Sequence, residues 1–189
     1  SIHKNVRDKL IPSEEHHLEM FPMDFEEFIS CLGINDNVVE SLRNAWNNRI
    51  PVDNFIHSKI MELFRLYLIV GGMPAAVNKY IETNNMQEVL RIQQDIITLY
   101  KRDIAQYDTN NKLYIEDIFN LIPPELNSKN KRFILKKLNE NAKFDRYQNS
   151  FLWLKNAGVA IPVYNVDEPK MPLLLARSRN LFKLFQSDV

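Results

Sequence analysis

Gly71 and Gly72 adjoin in a chain with only four glycines, and Met73 and Pro74 follow them. A bare backbone lets N–H groups come close to an oxyanion, so the first chemistry to weigh is a phosphate cradle. A P-loop reads G-x-x-x-x-G-K-[ST], with a Lys for the β and γ oxygens, and it follows a strand. "GGMPAAVN" has no such Lys and follows a helical pattern, and no other stretch of the 189 residues fits. Read locally, the pair is a helix C-cap followed by a proline-started helix.

The second candidate is the basic run "NSKNKRFILKKLNENAKFDRYQN". It carries Lys129, Lys131, Arg132, Lys136, Lys137, Lys143 and Arg146 against Glu140 and Asp145. Clustered cations of this kind neutralise phosphates and release counterions. At about 100° per residue, Tyr147, Phe151 and Leu154 share one face of the following helix. Arg146, Asn149, Ser150 and Trp153 fall on the other, where a recognition helix meets a major groove. Lys129, Lys131, Arg132, Lys143, Arg146 and Asn149 are thus the candidate nucleic-acid contacts. The competing reading is a solvated or protein-docking face.

Other constellations carry less. "EEHHLE" (Glu14–Glu19) has adjacent histidines that point apart, without H-E-x-x-H spacing, and reads as a solvated loop. His3 and His57 have no evident partners. Asp24 and Glu27 are better spent as a capping box than as an acid/base pair. Nothing places a Ser, a His and a carboxylate together. Cys31 is the single cysteine, which excludes an internal disulfide and a cysteine-rich zinc site. No catalytic residue and no metal ligand is expected.

These candidates need elements to hold them. Helical periodicity dominates before residue 159. Phe25, Phe28, Ile29 and Leu32 share a face in "MDFEEFISCLG", which stops at Gly33. "VVESLRNAWNN" and "NFIHSKIMELFRLYLIV" read as helices, the second apolar and buried at its end. Asn85 with Glu88 reads as a capping box that opens a helix to about Ala105. "DTNN" at 108–111 reads as a linker. Beyond it, "LYIEDIFNLI" reads as a helix stopped by Pro123-Pro124, "KRFILKKL" as a second and "FDRYQNSFLWLKNAG" as a third, ended by Gly158. "VAIPVYNV" reads as an edge strand, and a turn at "DEPKMP" leads to "LLLARSRNLFKLF". Three short helices and a hairpin follow the order of a winged helix-turn-helix.

Charge divides the same way. Ser1 to Pro124 holds 12 Lys/Arg against 18 Asp/Glu, and Glu125 to Val189 holds 12 against 6, so a net charge of zero hides about −6 and +6. The longest apolar run, Leu66 to Val70, is too short to span a bilayer. The N-terminal "SIHKNVRDKL" is unlike a signal peptide, and the expected location is cytoplasmic.

"FPMDFEEF", "ELFRLYLIVGGMPAAVNKY" and "RIQQDIITLYKRDI", followed by "IPPELNSKNKRFILKKL", "YQNSFLWLKNAG", "PKMPLL" and "FKLFQSD", resemble a prokaryotic AAA-type ATPase family with a C-terminal domain of uncharacterised function. The resemblance covers nearly the whole chain. It implies a mainly α fold, a helical lid bundle followed by a winged helix with a small β-hairpin. The implied bounds are a linker over 1–21, the lid over 22–108, the winged helix over 112–180 and the start of a further, nuclease-like domain over 181–189, which takes in Asp188. The lid of such proteins follows a core with a P-loop and an acidic Walker B strand. Its Gly-x-Pro element, Gly72-Met73-Pro74 here with Gly71 before it, would approach the nucleotide near its base. ATP and Mg are implied for the intact parent and neither for this chain alone, which is expected to be no enzyme by itself. The implied partners are the core and C-terminal domain of the same protein, with DNA as a further one. A stand-alone winged-helix DNA-binding regulator, or a docking module, is the rival reading.

Overall fold

The computed structural model describes residues 18, 20–107 and 112–188, in two compact units. One holds the described residues up to Ile97 together with Asp188; the other holds Thr98–Ser187. The chain is mainly helical, with a small antiparallel sheet. Among the described residues no single helix is long and apolar enough to cross a membrane.

The helical unit contains α1 (Phe25–Cys31), α2 (Asp36–Asn48), α3 (Asn54–Val70), α4 (Pro74–Thr83) and the first part of α5 (Met86–Tyr107). Local chemistry sets most of its boundaries. Asp24 accepts from the Glu27 N–H and Glu27 from the Asp24 N–H, both at 2.9 Å, a complete capping box. Asp53 accepts from the Phe55 and Ile56 N–H groups and opens α3. Asn85 caps α5 by accepting from the Gln87 N–H, while Glu88 pairs with Arg91 rather than closing a box. Phe28, Ile29, Leu63, Val70, Ala76, Val77 and Val89 form the core, with Phe25 and Leu32 packed against it. A fully buried side chain such as Phe28 contributes about 1.5–3 kcal/mol. The end of α3 is less buried than its composition suggests. Val70 is buried, but Leu68 and Ile69 are exposed.

The mixed unit contains the rest of α5, α6 (Lys112–Asn127), a 3-10 turn (Leu135–Lys137), α7 (Phe144–Asn156), β1 (Ala160–Val166) and β2 (Arg177–Gln186). β1 and β2 pair antiparallel, with Pro162 opposite Leu184 and Tyr164 opposite Phe182, and the register shifts between Tyr164 and Val166. The Phe133 N–H donates to the Phe182 carbonyl at 3.1 Å, so a third segment adds one rung. Gly158 has φ of 69° just past α7, a left-handed conformation that ends the helix.

Two expectations fail here. Pro123-Pro124 does not stop α6, which runs on to Asn127. An internal proline costs about 3 kcal/mol or more. The turn beyond is held because Ile122 and Glu125 are fully buried. "KRFILKKL" is no helix beyond its 3-10 turn: Lys131 takes the left-handed φ of 52°, Ile134 is extended, and Phe133 is drawn to β2, where its N–H donates to the Phe182 carbonyl. Residues 181–186 are the far half of β2, with Phe182 and Leu184 buried.

Candidate functional site

The turn from Gly71 to Pro74 joins α3 to α4. The Gly71 N–H donates to the Tyr67 carbonyl at 2.8 Å, and its φ of 77° ends α3. Gln93 reaches back to the Ile69 and Val70 carbonyls at 2.9 and 3.2 Å and satisfies the last acceptors of that helix. Met73 is extended and precedes Pro74, whose fixed φ suits the first position of α4.

Gly72 is the hub. Its N–H donates to Asp188 Oδ2 at 2.5 Å, and its carbonyl accepts from the Met23 N–H at 2.8 Å. The Tyr67 hydroxyl donates to the Met23 carbonyl at 2.8 Å. A Cβ on Gly72 would collide with the Met23 carbonyl and lie 2.9 Å from Asp188 Oδ2. Glycine is therefore needed here for space. Burial pushes the Asp188 carboxyl above its usual range, and the Gly72 N–H opposes that by favouring the charged form. Burial also raises the Tyr67 phenol, helped by Asp188, Asp24 and Glu27.

The turn thus offers one backbone donor to an oxyanion, beside a rigid pyrrolidine ring. Gly71, Gly72, Met73 and Pro74 are together, as the sequence requires. Tyr67, Met23 and Asp188 belong to the same place and had no signal in the local pattern. Among the described residues no group of three His, Cys, Asp or Glu can hold a metal ion. His3 and the run Glu14–Glu19, Leu18 apart, lie outside the described residues; His57 is exposed.

The basic candidates lie on the mixed unit and are exposed at Lys129, Lys131, Arg132, Lys143, Arg146 and Asn149. Arg132 and Lys143 line one cavity together with Lys136. Arg146 is committed to Tyr114, to whose hydroxyl it donates and over whose ring it lies at 4.9 Å. Lys137 is likewise committed, to the buried Glu125 carboxylate. Tyr147, Phe151 and Leu154 are buried as their spacing requires. Ser150 is buried too, not on the outer face, because four positions of α7 rather than three turn inward. The exposed stripe of α7 is Gln148, Asn149, Leu152 and Lys155.

No curated protein and no solved structure matches the chain. A family model described as Domain of unknown function (DUF8612) matches residues 61–189, and the chain belongs to that family.

Proposed function

We propose that this chain is the lid and winged-helix portion of an AAA-type ATPase, the part that senses nucleotide state and relays it. The observation that carries the reading is the Gly72 N–H held against an acceptor oxygen where no Cβ fits. An acceptor atom of the nucleotide would compete with the Asp188 carboxylate for this donor, and the exposed Pro74 ring supplies an apolar surface for the base. The turn suits one edge of a nucleotide. The triphosphate and its magnesium, bound when the P-loop core is present, supply the phosphoryl chemistry; this chain contributes one donor and one apolar surface. The order α6, 3-10 turn, α7, β1, β2, with a rung from Phe133, supports the winged-helix assignment of the mixed unit. Relay requires the two nucleotide states to differ in contact free energy at this turn.

The test is to read and express the frame that contains this chain with about 200 codons before Ser1, the size of one domain. The expected product carries G-x-x-x-x-G-K-[ST] after a strand pattern and turns over ATP. Its turnover should fall about tenfold or more in Gly72→Ala, since a displaced lid misplaces the nucleotide. An upstream frame without a P-loop, or full turnover in Gly72→Ala, overturns the reading.

A further inference from the structure

The mixed unit carries a second feature, independent of the nucleotide reading. Two cavities of about 600 and 250 Å³ share a wall. Phe144 and Asp145 line both, so the two form one track. Five cations line it: Arg132, Lys136, Lys143, Lys155 and Arg177. Among the described lining residues the one carboxylate is Asp145.

Two aromatic rings of the track are only half-buried. Phe144 stacks on Phe151 at 5.8 Å and 11°, and Tyr164 leans on Phe182 at 5.6 Å. Each ring is fixed from behind by a buried neighbour, which makes it a rigid platform. The Arg177 guanidinium lies 4.7 Å over Tyr164 and extends that platform with a second planar, cationic surface. Cations that track a backbone, alternating with planes on which bases stack, are the recognition chemistry of single-stranded nucleic acid.

We infer that this track binds single-stranded nucleic acid, a few nucleotides long, with phosphates along the cations and unstacked bases against Phe144 and against the Arg177 guanidinium that Tyr164 supports. Duplex DNA fits the same surface poorly. Paired bases cannot enter cavities of this kind, and the arginine of α7 best placed for a groove, Arg146, is spent on Tyr114. The hairpin tip that would meet the duplex backbone presents the apolar Met171, Leu174 and Leu175, and its one lysine, Lys170, is paired with Glu168.

The experiment is fluorescence anisotropy of a labelled 15-nucleotide oligo(dT) with the full chain, against a duplex of equal length. The single strand should bind at 50 mM salt, at least about tenfold tighter than the duplex. Its log K should fall with log salt at a slope of about −2 to −3.5, as expected for three to five neutralised phosphates. Tyr164→Leu keeps apolar bulk on Phe182 and should weaken binding about 5- to 100-fold through lost stacking. The exposed triple variant K136E/K143E/K155E, checked for an unchanged melting curve, should bind at least about 100-fold more weakly, as reversed charges repel the strand. Absence of binding, a duplex bound as tightly, or both variants binding like the wild type overturns the inference. None of these results bears on ATP turnover, so the two readings fail separately.

Discussion

Asp188 Oδ2 accepts the Gly72 N–H at 2.5 Å across 116 positions of sequence, and the same carboxylate covers the place where a side chain on Gly71 would begin. The two glycines are therefore required for different reasons. At Gly71 the backbone has φ of 77° and ψ of −176°, a region that side chains avoid, and the nearest atoms all belong to Asp188. At Gly72 the obstacle is chiefly the backbone of Met23.

That difference predicts a pattern in double-mutant cycles. Gly71→Ala should cost about 1–3 kcal/mol for its backbone region alone, plus the clash with Asp188. Asp188→Ala should relieve the clash and leave the backbone term. Gly72→Ala should cost about 1–3 kcal/mol by overpacking, and most of that should persist in the Asp188→Ala background because the Met23 carbonyl stays. Urea unfolding of the three single variants, the two doubles and the wild type measures both couplings. Equal relief at the two positions would show that Asp188 is not what distinguishes them.

Asp188 also predicts a pH dependence. Its folded pKa is raised by burial, against the opposing Gly72 N–H, so the native state favours the protonated carboxyl. Its contribution to stability is then complete below the unfolded value of about 3.9 and is lost as pH rises through the higher folded value. Asp188→Asn removes the charge and keeps an acceptor for Gly72. The variant should melt above the wild type at pH 7, with the gap closing towards pH 4. The group is about half exposed, so solvent screens the effect, and the rise should stay below about 2 °C. A gap that widens towards pH 4 would contradict the assignment.

Much of the helical unit was legible because its signals are local. Asp24 with Glu27, and Asp53 before Phe55, are capping chemistry within three positions, and α3 occupies the 17 residues its pattern marked. The turn at Gly71–Pro74 was legible as a turn for the same reason. What made it tight was not, because Met23 and Asp188 reach it from far along the chain. The mixed unit was harder still. "KRFILKKL" has helical periodicity, but Phe182 holds Phe133 at β2 and Glu125 holds Ile134 extended, and neither contact is visible in a local window. Pro123-Pro124 reads as a stop by local rules, and the burial of Ile122 and Glu125 overrides them. Ser150 fell on the outer face of α7 in a helical projection, yet the packing of Tyr147, Phe151 and Leu154 leaves it 1% exposed.

The proposed role predicts a negative result for the chain by itself. ATP with magnesium should leave its melting temperature unchanged. No P-loop lysine is present in the 189 residues, and the Gly72 donor is already engaged by Asp188. A ligand at 100 times its Kd stabilises by about 2.7 kcal/mol, several degrees in a chain of this size, so real binding would be seen. A rise of that size would show that the chain holds the nucleotide without a separate core, and the lid reading would have to be abandoned.

Glu125 is fully buried and accepts from the Ile134 N–H and from the Lys137 ammonium, itself about half exposed. The two partners should not be equally replaceable. Lys137→Ala strands a carboxylate in the interior and should cost about 3–5 kcal/mol. Glu125→Gln keeps an acceptor for Ile134 and leaves Lys137 free to turn to water, so its cost should be about 1.5–3 kcal/mol, the worth of a lost hydrogen bond to a charged group. The double variant Glu125→Gln with Lys137→Met should recover most of the loss in Lys137→Ala, since no buried charge remains. Thermal and urea melts of the three variants separate these cases. Equal costs for Lys137→Ala and Glu125→Gln would mean that water reaches Glu125, and that the turn after α6 is held by Phe133 against Phe182 rather than by the ion pair.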